Sequence, residues 1–228
     1  MKTPENASQF PGALGMSVGG SLLAALRSMY SQSWRMLLAN AALAFGVLPF
    51  LVAALWAPIA LGAAALVAGP LAMALMHCAV GLVEEDELSL RRWPAGLRLH
   101  WRRGLALGAA CGLVFAAGGV ALASYGGAGQ IVLAAVVVYV LLAFAAYQVP
   151  LWPLAAAERT EPLGEVAKAA GAVLLRRPLA TLALALALLF VNAVGAAAAL
   201  MPLLTITLAY SSLAAAHFAL PRNPLREI

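Results

Sequence analysis

The sequence predicts an all-α polytopic membrane protein: six transmembrane helices arranged as three hairpins, with both termini and cytoplasmic interfacial helices on one side. Three observations carry this. Apolar residues make up 64% of the chain and charged residues only 10%, a balance that leaves too little polar surface to cover a water-soluble fold. Charges fall in blocks, and the intervals Arg35 to Glu84, Arg103 to Glu158 and Arg177 to Arg222 carry none. Each interval holds two spans of about 20 residues. Finally, an even number of crossings between blocks places all 14 Lys and Arg and all 9 acids on one face, which positive-inside bias makes cytoplasmic.

The elements follow in order. Residues 1–20, with Lys2, Pro4, Glu5, Asn6 and Pro11, lack the compact apolar run of a signal peptide and read as a polar N-terminal tail. Residues 21–220 form a single transmembrane domain, and 221–228 a cytoplasmic C-terminal tail. The expected spans are Met36–Ala57, Pro58–Val83, Gly104–Ala123, Ile131–Trp152, Pro178–Ala198 and Met201–Leu220. The connections on the far side are short and neutral: Trp56–Pro58, Ser124–Gln130 with its Gly126-Gly127 turn, and Leu200–Pro202. The runs do not alternate as strands of a closed barrel do. The odd-numbered spans each follow a basic residue, at Arg35, Arg103 and Arg177, so the three hairpins read either as a parallel repeat or as a consequence of charge sorting.

Two segments between spans read as surface helices. From Glu161 to Arg177, Leu163, Val166, Ala170, Val173 and Leu174 recur at helical spacing away from Glu165 and Lys168, which describes an amphipathic helix at the membrane surface. In Leu88 to Arg103, Leu90, Trp93, Leu97 and Trp101 face lipid, while Arg91, Arg92, Arg98 and Arg102 face headgroups and water, with Arg103 closing the segment. Both are anchoring segments and candidate docking surfaces for a membrane or cytosolic partner. The net charge of +5 therefore reads as topology rather than nucleic-acid binding.

No catalytic motif is present, and no cofactor is implied. Glu84, Glu85, Asp86 and Glu87 lack the ligand spacing and central glycine of a calcium loop. They begin like the glutamate-glutamate-arginine signature of CAAX-type intramembrane proteases, but Ser89 stands where arginine is required. His77, His100 and His217 lie near the charged boundary, and two or three of them can meet in the fold; their spacing is not that of a zinc site. Cys78 and Cys111 sit in apolar runs as small hydrophobes. None of the expected spans contains Asp, Glu, Lys or Arg, whereas ion-coupled carriers place such residues within the membrane. A facilitator using neutral groups stays open: Gly69-Pro70 interrupts the second span, Pro49 sits in the first, and Asn40, Gln148 and Asn192 are in-span polar groups. Interhelical hydrogen bonding accounts for such groups equally well, and Gly108, Gly112, Gly118 and Gly119 permit close helix contact.

The run Asn40-Ala41-Ala42-Leu43 followed by Leu48-Pro49, the stretch Gly69-Pro70-Leu71-Ala72-Met73-Ala74-Leu75 and the basic segment Arg98 to Arg103 resemble the YesL-like family of small bacterial integral membrane proteins, from about Leu22 to Phe218. The interval from Pro49 to Gly69 is longer than the family's, and aromatics are missing after Leu75. The resemblance implies no catalytic residues and an association with transport, carbohydrate uptake in particular. The expected function is thus an accessory or assembly partner of a transport system in the bacterial inner membrane, associating with a membrane protein or a second copy. A facilitator for a small neutral solute is the alternative, and a membrane enzyme the remote one.

Overall fold

The computed structural model describes residues 16–31, 33–53, 56–57, 60–85, 91–158, 160–197 and 206–220. These form α1 (Val18–Ser31), α2 (Ser33–Ala53), α3 (Ala60–Glu85), α4 (Arg92–Gly127), α5 (Ile131–Ala157), α6 (Leu163–Arg176), α7 (Pro178–Ala197) and α8 (Leu208–Ala219). No strand occurs among the described residues. Helix is the expected outcome for apolar runs in lipid, because each backbone N–H and C=O finds its partner within the segment. Pro49, Pro70, Pro150 and Pro153 all lie inside helices.

α3 is the hub, packing against α2, α4, α5 and α8. Leu71, Met73, Ala74, Leu75, Cys78, Ala79 and Val80 are all buried. A helix apolar on every side is covered by protein or by lipid, and burial separates the two cases: 61% of the most apolar window of α3 is covered by the chain itself, against 11% for α4 and 6% for α5. The core therefore gathers the second half of α3, the second half of α5, the first halves of α2 and α7, and α8. Leu113, Phe115, Val120, Val132, Val136, Val140, Leu189 and Phe190 are exposed, as lipid-facing side chains are.

Among the described residues, four helices are long and apolar enough to cross a membrane: α3, α4, α5 and α7. A fifth crossing arises if α1 and α2, which meet at 98°, count as one bent span. The chain is therefore membrane-embedded and polytopic, but the count of six is not reproduced. The described part of α8 has 12 residues, about 18 Å of helix against a hydrocarbon core of about 30 Å, and the connection Leu200–Pro202 lies outside the described residues.

Two other expectations change. The basic segment ending at Arg103 is not a separate surface helix from Arg92 onward, because α4 runs unbroken for 36 residues, about 54 Å. Residues 86–90, with Asp86, Glu87, Ser89 and Leu90, lie outside the described residues, as do 1–15 and 221–228. The second difference is α1, whose first residues fall within the stretch read as tail. Ser21, Ala24, Ala25 and Met29 are buried on one face, and α1 packs on α8, where Tyr210 donates to the Leu22 carbonyl at 3.2 Å. The amphipathic helix after Glu161 is present as α6, with Val166 and Ala170 buried and Tyr147 of α5 donating to the Ala167 carbonyl at 2.9 Å. The hairpin between α4 and α5 turns at Gly129, whose φ of +70° is a left-handed conformation that favours glycine.

Candidate functional site

Two stripes with a period of four residues set the geometry. α3 carries Ala65, Gly69, Met73, His77, Gly81 and Glu85, and α4 carries Arg92, Gly96, His100, Gly104, Gly108 and Gly112. Residues four apart share a helix face, and the two faces meet antiparallel. In the apolar half the backbones touch. A Cβ added to Gly104 would sit 2.6 Å from Pro70 Cα, one on Gly108 would sit 2.7 Å from Gly69 Cα, and one on Gly112 would sit 3.0 Å from Ala65 Cβ. Such approach is the packing mode of membrane helices, where no hydrophobic force drives association and close contact must supply it.

Toward the charged end the same stripes become polar and interlock. His77 occupies the notch left by Gly96, where a Cβ would meet its ring at 2.8 Å, and the Arg92 guanidinium lies over Gly81, where a Cβ would collide with it. The His77 and His100 rings lie 5.1 Å apart at 50°, and both residues are buried. Arg92 closes the layer with an ion pair to Glu85. A cavity of about 190 Å³ opens here, bounded by His77, Gly81, Glu84, Glu85 and Arg92 with Ala156 and Ala157 of α5. At about 30 Å³ per molecule it has room for several waters or one small polar solute. No group of three His, Cys, Asp or Glu suited to a metal occurs among the described residues.

Arg103, one step off the seam, is half-buried and donates to the carbonyls of Ala155, Glu158 and Glu161. The last carbonyls of a helix lack intrahelical donors. One guanidinium thus satisfies the end of α5 and ties it to α4.

The residues expected to line a solute path each meet a different neighbour. α3 continues through Pro70, with Gly69 against the backbone of Gly104 and Gly108. Gln148 accepts a hydrogen bond from the Trp152 indole at 2.7 Å. Asn192 donates to the Leu188 carbonyl at 2.8 Å and to the Ser211 hydroxyl at 2.9 Å, joining α7 to α8. Asn40 is fully buried on α2, and Pro49 is exposed farther along it.

The expected docking set also divides. Arg91, just before α4, and Arg98, Trp101 and Arg102 on it are exposed, Trp93 is half-buried against the core, and Arg92 and Arg103 are engaged within the bundle. Glu165 and Lys168 pair with each other at 2.8 Å on exposed α6, and the Glu165 carboxylate pushes the Lys168 ammonium up from its usual range through that bond and its charge. Of the three histidines expected near one boundary, His77 and His100 meet, whereas His217 contacts Ser28 at 3.1 Å. The reciprocal patterns His77-x₃-Gly81-x₃-Glu85 and Arg92-x₃-Gly96-x₃-His100 are the signal that links them, and it becomes visible only once the two helices are set side by side.

Comparison with protein families, with curated proteins and with solved structures returned no match.

Proposed function

We propose that this chain is a non-catalytic accessory subunit that assembles with a transport system in the bacterial inner membrane, with its charged end and both termini in the cytoplasm. The observation that carries the reading is the α4/α5 hairpin: between Gly108 and Ala146 no residue is buried. The hairpin is held by Gly118 against Leu141 and by Phe115 edge-on to Phe144 at 5.6 Å. Past Gly112 the small-residue face of α4 continues as Ala116, Gly119 and Ala123, and a Cβ on Gly119 would meet nothing within 4 Å. An open glycine on an apolar face permits the close approach of another membrane helix. The YesL-like resemblance supports a carbohydrate uptake system as the assembly.

The test is extraction in native lipid, followed by identification of what co-purifies. A transport permease at stoichiometric yield is expected, and Gly119→Leu is expected to cut its recovery about tenfold, in the range of small-residue helix contacts, with an unchanged melting midpoint. A chain that purifies alone removes the reading.

A further inference from the structure

The arginines of α4 differ in what they do. Arg92 is ion-paired with Glu85, and Arg103 is spent on the carbonyls of α5 and the segment after it. Arg98 and Arg102 are exposed, one turn apart and about 6 Å in rise. Among the described residues, neither guanidinium meets a carboxylate; the one contact is Arg102 over the Trp101 ring at 5.2 Å.

Their depth follows from the seam. Gly104 lies against Pro70, while Arg92 lies over Gly81, so Arg98 and Arg102 stand at the level of the apolar stretch of α3 from Leu71 to Val80, on the face of α4 turned away from it, and not at a free helix end. Side chains on a helix lean toward its N-terminus, which for α4 is the charged end, so both guanidiniums reach from an apolar flank toward the headgroup layer. Leu99 and Leu105 are exposed on the same helix, and Trp101 is an amphipathic ring suited to the interface. Guanidinium forks match phosphate oxygens.

We propose that Arg98 and Arg102 form a binding site for the phosphate of an anionic phospholipid, with Trp101 against the headgroup and Leu99 and Leu105 against the chains. The apolar flank commits the site to a lipid rather than a free phosphate. This rests on the chain being membrane-embedded and not on its having a protein partner.

Native mass spectrometry of the purified chain in micelles with equimolar phosphatidylglycerol and phosphatidylcholine tests it. The wild type is expected to retain phosphatidylglycerol, and Arg98→Gln with Arg102→Gln to lower that retention at least about tenfold, as two interfacial arginines warrant. Arg91→Gln, an exposed arginine just before α4, is expected to retain most of it. If the double variant does not fold, each single variant reads the same loss in part. Equal retention of phosphatidylcholine, undiminished retention in the folded variants, displacement by soluble glycerol phosphate, or a polypeptide bound in place of lipid would each overturn the proposal.

Discussion

Gly104→Val is expected to lower the stability of the chain by roughly 3 kcal/mol, at the upper end of overpacking costs, and its melting midpoint in detergent by roughly 6–10 °C. Helix propensity works the other way, since glycine within a helix is worse than alanine by up to about 1 kcal/mol. The clash wins because the atom in the way, Pro70 Cα at 2.6 Å, belongs to backbone and cannot rotate aside; α3 and α4 must part along their whole seam. Gly119→Ala is the matched control. It has a larger propensity gain, since alanine lacks the β-branch of valine, and nothing within 4 Å, so its midpoint is expected to hold or rise slightly.

Arg103→Ala is expected to cost about 2 kcal/mol, in the range for hydrogen bonds to a charged group and discounted because the side chain is only half-buried. Three carbonyls, those of Ala155, Glu158 and Glu161, lose their donor together. The effect is therefore local: hydrogen exchange and proteolysis rise between Ala155 and Pro162, while the α3/α4 seam stays protected. Arg103→Lys restores only part of this, because an ammonium is a compact point charge and lacks the forked reach of a guanidinium. Equal protection in Arg103→Ala and wild type would show that the end of α5 holds without the clamp.

Much of the architecture was legible because charge is costly in lipid. The uncharged intervals correctly marked α2 with α3, α4 with α5, and α7 with α8, and the period of Val166, Ala170 and Val173 marked α6. Hydropathy could not say what covers an apolar helix: α3 is enclosed largely by protein, whereas α4 and α5 are not. The count of six failed elsewhere, at α2, which counts as a crossing only when joined to α1, and at α8 with its 12 described residues. Nor could hydropathy place a boundary at Arg103, since a helix that packs against α3 down to Glu85 needs no break where its first arginines occur. Gly69-Pro70 read as an interruption because proline removes a donor. Its role instead depends on Gly104 and Gly108, some thirty-five residues away in sequence, and the register joining them is a property of the pair of helices. The same applies to His77 and His100.

The measurement that tests the account most directly is oxidative cross-linking of Ala65→Cys with Gly112→Cys in native membranes, with Cys78 and Cys111 replaced by alanine. The Cβ positions lie 3.0 Å apart, within reach of a disulfide once the helices adjust slightly. A rapid, near-complete cross-link is expected at this pair and none between Ala65→Cys and Val120→Cys. A cross-link to position 120 with none at 112 would contradict the account: it would move α4 two turns along α3, unmake the His77–His100 layer and relocate Arg98 and Arg102.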